Sequence, residues 1–269
     1  MLRFAGAGVS DVGRRRTENE DYAFVGPYVS VVADGVGGAA AGEVASATAA
    51  YVVAATAMAR FGEDPPSVLV RAVGDAHTAL VAGVAADIER AGMATTLTAL
   101  VTDGRRVVLG HIGDSRAYLM HDGRLRQVSA DHTYVQHLID NGHLDSSKRA
   151  GHPWGHIVLR SLDGGEDTTL DVTALHVEVG DRLLLCSDGL TDLVPDDRIA
   201  EALTSGSHPQ DAAAVLVEAG LTAGGKDNIT CVVLDVIDGP EVVRDGTVLG
   251  ALADPVHNVV DPAGVHLPA

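Results

Sequence analysis

Three short aliphatic runs in this 269-residue chain pass straight into an acidic turn. Val29 to Ala33 leads into Asp34-Gly35, Val107 to Ile112 into Gly113-Asp114, and Leu183 to Cys186 into Ser187-Asp188-Gly189. A further acidic pair, Asp227-Asn228, stands immediately before the run Ile229 to Val236. Short runs of β-branched and aliphatic residues read as strands, and Thr96 to Val101 and Ala117 to Met120 add two more. Asp103-Gly104 and Asp122-Gly123 lie between neighbouring runs, where tight hairpin turns belong, so much of the sheet should be antiparallel. Because antiparallel strands alternate in direction, a carboxylate after one strand and a carboxylate before its neighbour can meet at one sheet edge. That arrangement gathers Asp34, Asp114, Asp188 and Asp227 in space.

Clustered carboxylates repel one another, so a group of them kept ionised demands a cation, and hard oxygen ligands select Mg²⁺, Mn²⁺ or Ca²⁺. Any one Asp-Gly alone reads as a turn; the recurrence at strand ends is what points to metal. An EF-hand is excluded, because no Asp-x-Asp-x-Asp-Gly loop with a terminal Glu occurs. Composition narrows the partners. Asp and Glu number 37 against 19 Lys and Arg, and the net charge of −18 would repel nucleic-acid phosphates and anionic lipid. Cys186 and Cys231 sit singly inside aliphatic runs, without zinc-like spacing, and read as buried thiols of a reducing compartment. Met1 to Ser10 is too short and glycine-broken for an export signal, and the uncharged Val44 to Ala59 stretch falls short of the roughly 20 residues a membrane span needs. A cytoplasmic protein is expected.

Larger side chains at Val44, Thr48, Tyr51, Ala55 and Met58, then Val73, Ala76, Leu80, Val84 and Ile88, recur at helical spacing and predict two helices within about residues 42–91. Asp64-Pro65-Pro66 separates them. Residues of about 131–167, rich in His, Gly and Pro with a short helix near Thr133 to Asn141, read as a flap laid over the scaffold. Asp196 to Leu203 and Gln210 to Ala219 predict two more helices, and Asp238 to Ala269 reads as a tail or loosely packed extension.

Six strings now suggest a family: Gly13-x-x-Arg16-x-x-Asn19-Glu20-Asp21, Asp34-Gly35-Val36-Gly37-Gly38, Gly92-Met93-Ala94-Thr95-Thr96, Gly113-Asp114-Ser115-Arg116-Ala117, Ser187-Asp188-Gly189-Leu190 and Asp227-Asn228-Ile229-Thr230. In this order they resemble the signatures of bacterial type 2C serine/threonine protein phosphatases, over about residues 6–236. The resemblance implies an α+β fold, a four-layer α-β-β-α sandwich of two antiparallel sheets flanked by helices, in a catalytic domain of residues 1–237. It implies Mn²⁺ or Mg²⁺ as cofactor, two ions in the core and a third beside them. Asp34 would be shared by two metals, Asp188 and Asp227 would complete one site, and the Gly35 carbonyl with the Glu20-Asp21 pair would serve the other. Asp114 would hold the third ion together with Asp188. Arg16 corresponds to the phosphate-binding arginine, which suits a guanidinium able to hold two phosphate oxygens, although beside Arg14 and Arg15 it also reads as part of a solvated basic run. Two such ions about 4 Å apart lower the pKa of a bridging water and need no protein nucleophile. The expected substrates are phosphoserine and phosphothreonine proteins, including a bacterial Ser/Thr kinase, acted on by a monomer.

Val36 departs from the animal pattern, in which a His there is assigned to protonating the leaving alkoxide. Of the twelve His residues, His132 remains by elimination, with a structural role as its expected reading. In the flap, Gly155-His156 stand where a basic residue and Asn are commoner. Two other functions compete. Gly35-x-Gly37-x-x-Ala40 after a strand superficially matches a dinucleotide-binding fingerprint, but that unit needs a second parallel strand. A catalytically inactive pseudophosphatase, kept as a binding module, is opposed by the complete set of acidic positions. Ser115 and Ser187 lack a Gly-x-Ser-x-Gly elbow and read as turn or supporting hydroxyls.

Overall fold

The computed structural model describes residues 1–36, 41–149, 151–165, 169–250 and 259–260. The chain begins with β1 (Leu2–Asp11), β2 (Asp21–Val25) and β3 (Val29–Val36), then α1 (Gly42–Ala59) and α2 (Pro65–Ala86). β4 (Ala94–Thr95), β5 (Leu97–Thr102), β6 (Val107–Ile112), β7 (Arg116–His121) and β8 (Arg124–Gln127) follow. α3 (Tyr134–Asp140) and β9 (Leu162–Asp163) belong to the flap region, which β10 (Asp171–Leu175) and β11 (Arg182–Cys186) succeed. α4 (Asp188–Thr191), α5 (Asp196–Ser205), α6 (Pro209–Thr222), β12 (Ile229–Asp238) and β13 (Thr247–Gly250) complete the order.

One sheet runs β1-β12-β11-β7-β8 and the other β10-β6-β5-β3-β2-β13, with β4 and β9 attached to the second through β3. Every strand pairing among the described residues is antiparallel. The dinucleotide-binding alternative therefore fails, since β3 is followed by two helices and no parallel partner. Its Gly37, Gly38 and Ala40 lie outside the described residues.

Three apolar layers hold the sandwich. Phe4, Val32, Leu109, Leu119, Leu185 and Leu234 fill the space between the sheets. α1 and α2 cover the second sheet through Val53, Met58, Leu69 and Leu80 against Phe24 and Val31. α5 and α6 cover the first through Ile199, Leu203 and Leu216 against Leu184 and Val233. α1 buries far more than the one face its larger residues mark out. Ala45, Ala47, Ala49 and Ala50 are fully buried too, because small side chains admit α2 and the sheet on opposite sides. α2 starts on an Asp64 cap that accepts from the Ser67 backbone N–H at 3.3 Å, with Pro65 already shaped for the first turn. By length and composition α2 could span a bilayer, but Leu69, Ala72, Ala76 and Leu80 are buried in the core.

The first strand escaped the sequence reading because Gly6 and Gly8 interrupt its pattern. Both glycines answer to packing: a Cβ on Gly6 would stand 2.2 Å from Leu234 Cδ2, and one on Gly8 2.5 Å from Leu249 Cδ1. Within the segment expected as a tail, β13 pairs with β2, and the Val260 N–H donates to Thr48 Oγ1 at 3.0 Å. β13 covers what would be the edge of the second sheet, a reason for its order that composition does not show.

Candidate metal centre

β2 and β3 pair in a register that sets Asp21 directly opposite Asp34. Asp114 follows β6 in the same sheet, whereas Asp188 follows β11 and Asp227 precedes β12 in the other. The carboxylates thus meet across the sandwich from both sheets, not at the edge of a single sheet as the strand pattern suggested. Ser187 ties the two sheets together: its hydroxyl donates to Asp21 Oδ2 at 2.7 Å and accepts the Thr230 N–H at 3.0 Å.

Asp34 is held by the neighbouring motif. Its N–H donates to Thr96 Oγ1 at 2.9 Å, and its carbonyl accepts from the Thr96 N–H at 2.8 Å and the Thr95 hydroxyl at 2.9 Å. The Thr96 and Ser115 hydroxyls meet at 2.6 Å, which links the Asp34 backbone to the turn carrying Asp114. Gly35 has no room for a side chain, because a Cβ would stand 2.5 Å from the Gly42 backbone at the start of α1.

Burial and mutual repulsion dominate the electrostatics. Asp34 is pushed well above the ordinary carboxylate range by burial, then by the charges of Asp21, Asp188, Asp114 and Asp227. Asp188 is raised in the same way, by burial and then by Asp114, Asp192, Asp227 and Asp21. Both are half-buried, keeping some exposed surface. Asp21 is wholly enclosed; burial lifts it to about 6 against the pull of the Ser187 and Thr230 hydroxyls. Burial and the Asp131 charge take Asp114 to about 7.

At the rim, Arg16 Nη2 donates to Asp227 Oδ2 at 2.8 Å and Nη1 lies 4.0 Å from Glu20 Oε2. Burial would lower the Arg16 pKa, but the Asp227 hydrogen bond and the charges of Asp227, Glu20 and Asp34 leave it raised. Arg14 is turned elsewhere, donating to the Leu221 carbonyl at 2.8 Å, so Arg16 alone of these two faces the acids. Glu20 is raised by burial despite Arg16. Asn228 anchors this loop: its Oδ1 accepts the Glu20 N–H at 2.8 Å, and its Nδ2 donates to the carbonyls of Val12 and Glu18.

Among the described residues no three His, Cys, Asp or Glu side chains already converge at ligand distances. The donor set nevertheless fits divalent cations. Asp21 Oδ1 is buried with no hydrogen-bond partner, and the surrounding side chains are hard oxygen donors whose repulsion a cation would relieve.

Comparison with known proteins gives this geometry a family. The family model described as Protein phosphatase 2C matches residues 14–223. The chain belongs to the protein phosphatase 2C family. It is 43% identical over 244 residues to the serine/threonine protein phosphatase PstP of Mycobacterium tuberculosis H37Rv, covering 88% of this chain and 46% of that protein. The chain thus spans about half the length of PstP. It is 32% identical over 235 residues to the serine/threonine phosphatase stp of Listeria monocytogenes EGD-e, covering 84% of this chain and 93% of that one. The crystal structure of the PstP catalytic domain in complex with two manganese ions superposes with a TM-score of 0.79 at 40% identity, covering 88% of this chain and all of that one. The antiparallel sandwich with outer helices is the arrangement of these type 2C structures.

The sequence reading missed Asp192, one turn beyond Asp188 and hydrogen-bonded to its carbonyl at 2.8 Å. Asp192 is raised by burial and adds negative charge beside Asp114 and Asp188. The Asp188-x-x-x-Asp192 spacing would have revealed it only if a helix had been expected after β11. Asp131 was also passed over. Arg116 Nε and Nη2 grip its carboxylate at 2.7–3.0 Å, and flap Arg149 Nη1 approaches at 3.3 Å. A cleft of about 740 Å³ runs from Asp227 and Asp192 between α4 and the flap residues Arg149, His152 and His156. Val36 brings no proton donor. His132 is committed on both ring nitrogens, with Nδ1 accepting the Gly113 N–H at 3.0 Å and Nε2 lying 3.1 Å from Asp171 Oδ2. This arrangement fits the structural role.

Proposed function

We propose that this chain is a Mn²⁺- or Mg²⁺-dependent hydrolase of phosphoserine and phosphothreonine in proteins, acting in the cytoplasm against a bacterial Ser/Thr kinase. The observation that carries the reading is the set of Asp21, Asp34, Asp114 and Asp188, buried or half-buried together at the end of the sandwich, with Arg16 and Asp227 at its mouth. Asp34, Asp188, Asp227, the Gly35 carbonyl and the Glu20-Asp21 pair are the groups assigned to two ions, and Asp114 with Asp188 to a third. Asp21, the enclosed member of the pair with an unpartnered oxygen, is better placed to face a cation than Glu20, which borders Arg16 at the rim. Two divalent ions there would supply water activated for in-line attack at phosphorus.

The protein's own contribution is orientation. Asp227 holds Arg16 Nη2, leaving the remaining guanidinium N–H groups to bind the oxygens of a phosphate monoester. Ser187 holds the Asp21 carboxylate, Thr96 the Asp34 backbone and Asn228 the loop that carries Glu20. The long cleft beyond Asp227 suits a polypeptide better than a small phosphate ester. The names of the relatives support the protein substrate, and the two free, buried cysteines support a reducing compartment.

The test is phosphate release from a phosphothreonine peptide with Mn²⁺, with and without EDTA, for the wild type and Asp34→Asn. Release that EDTA and the substitution both abolish is expected. Equal rates in every condition would sink the proposal, and metal binding without turnover on any phosphopeptide or p-nitrophenyl phosphate would favour the inactive alternative.

A further inference from the structure

The two chains of the flap's base converge on His132. Leu159 donates its N–H to the His132 carbonyl at 2.7 Å, Thr133 and Val158 form an isolated bridge, and Tyr134 donates to the Ile157 carbonyl at 2.9 Å. The same histidine then reaches out of the flap and takes hold of one residue at both its backbone groups. Its own N–H donates to the Gly113 carbonyl at 2.7 Å, and its Nδ1 accepts the Gly113 N–H at 3.0 Å. Because Nδ1 accepts, the ring proton belongs on Nε2, where Asp171 Oδ2 lies at 3.1 Å. Arg160 Nη2 pairs with Asp171 Oδ1 at 2.9 Å and so holds that carboxylate; its Nη1, 2.9 Å from the protonated Nε2, meets it donor to donor and adds no hydrogen bond to the ring. The imidazole ring also lies 4.9 Å from that of His111, itself held between the Thr98 hydroxyl and the Ala130 carbonyl.

Gly113 is the residue before Asp114, and it sits at φ +108°, where a Cβ would stand 2.6 Å from Thr96. Thr96 in turn accepts the Asp34 N–H and meets Ser115. The contacts therefore run without a break from the flap base through His132 and the Gly113-Asp114-Ser115 turn to Asp34. Asp114 needs such a support, since its carboxylate is buried beside the Asp131 charge and gains no ion-pair partner of its own among the described residues. Two hydrogen bonds to the preceding residue, one on each of the peptides that flank Gly113, fix the direction in which that carboxylate leaves the backbone.

We propose that His132 is a positioning residue for Asp114, and that its clamp on Gly113 is the point at which the flap is coupled to the metal centre. The inference rests on the metal reading of the acidic cluster. Partners that orient a metal ligand from outside typically change metal affinity by about 10- to 100-fold when removed, so the effect belongs to the ion that Asp114 holds.

The test separates the Nδ1 clamp from mere bulk. The Asn side chain places Oδ1 as many bonds from the backbone as His Nδ1, so His132→Asn keeps an acceptor for the Gly113 N–H. Gln is one carbon longer, reaches towards the Nε2 position instead, and loses the side-chain half of the clamp, while the backbone N–H to the Gly113 carbonyl stays in every variant. Mn²⁺ would be titrated calorimetrically into the metal-free full chain of the wild type, His132→Asn, His132→Gln, Asp114→Asn and the double variant of Asp114→Asn with His132→Gln. The Asp114-dependent binding step is the one that Asp114→Asn removes. His132→Gln is expected to weaken that step by about 10- to 100-fold, His132→Asn to stay close to wild type, and His132→Gln to cost nothing more once Asp114 is Asn. Wild-type binding by His132→Gln, equal losses in the Asn and Gln variants, or a further loss in the double variant would each overturn the inference. A wild type that bound no Mn²⁺ at all would remove the metal reading and this inference together, whereas intact wild-type binding with an unaffected Gln variant would remove this inference alone.

Discussion

At Ser187 a single hydroxyl does two jobs in a fully buried place. It donates to Asp21 Oδ2 and accepts the Thr230 N–H, so Ser187→Ala would strip one acid of its donor and leave one backbone donor unsatisfied. Leaving such groups unpaired costs about 1–3 kcal/mol, and we expect a loss of that size in urea unfolding of the metal-free protein. Asp34 should behave in the opposite sense. Its charge stands among Asp21, Asp188, Asp114 and Asp227, so Asp34→Asn relieves repulsion and should raise the melting temperature of the metal-free protein. A gain of about 1 kcal/mol would appear as roughly 2–4 °C in a domain of this size. The same substitution should lower phosphatase activity more than about 100-fold, beyond the upper end for residues that merely orient a metal ligand. A stabilised protein that has lost activity would be the mark of a site built for function at the expense of the fold.

Among the elements, the β7–β8 hairpin shows how local chemistry settles a connection. Asp122 at φ 47° and Gly123 at φ 72° both occupy the left-handed region, as a two-residue turn between twisted strands demands. An alanine at the second position would be strained, so Gly123→Ala should destabilise the fold by about 1 kcal/mol in thermal or urea unfolding. Turnover should be unchanged, because β7 runs from the Asp114 end of the sandwich to this turn at the opposite end. The β5–β6 connection uses its Asp-Gly differently. Only Gly104 has positive φ, and Asp103 Oδ1 accepts the N–H groups of Arg105 and Arg106, which makes a longer loop with an acidic side chain at its centre. Equal dipeptides thus closed two hairpins by two routes, in a loop between the paired ends Thr102 and Val107 and in a tight turn between His121 and Arg124.

For the whole molecule, proton uptake and metal binding should compete. Asp21 and Asp114 give up protons near 3.8 when unfolded but at about 6 and 7 when folded, so their contribution to stability is full below 3.8 and is lost as pH rises through those folded values. Asp34 and Asp188, raised by burial and by the neighbouring acids, contribute in the same sense. His111 has the opposite sign, because burial lowers it from 6.5 to about 4. Unfolding takes up its proton between those values, and its contribution is lost as pH falls through them. Above pH 6.5 the carboxylates are joined by His121, which its hydrogen bond to Asp181 raises and which loses its contribution in the same direction. The melting temperature in EDTA should therefore fall as pH rises from 6.5, and the rise produced by saturating Mn²⁺ should grow over the same range, as differential scanning fluorimetry can measure. A flat response to pH in EDTA would show that the acidic cluster is not strained without metal.

The strands Val107–Ile112 and Arg182–Cys186, and the helices that became α1, α2, α3, α5 and α6, were legible because periodicity, caps and Asp-Gly turns act within a few residues. The order of the six acidic and glycine motifs was legible as well, and with it the family. What sequence could not yield was everything set by contact across the fold. β1 was hidden because Gly6 and Gly8 answer to Leu234 and Leu249, residues far away in the chain. β13 was hidden because its place depends on an edge of β2 rather than on its own composition. The acids were found one by one, but their convergence from two sheets, the hydroxyl of Ser187 between them, the added charge of Asp192 and the grip of His132 on Gly113 are matters of distance. Local patterns record what a residue prefers for itself, whereas burial, repulsion and hydrogen-bond partners arise only when distant segments are packed together, and that is where the chemistry of this site was decided.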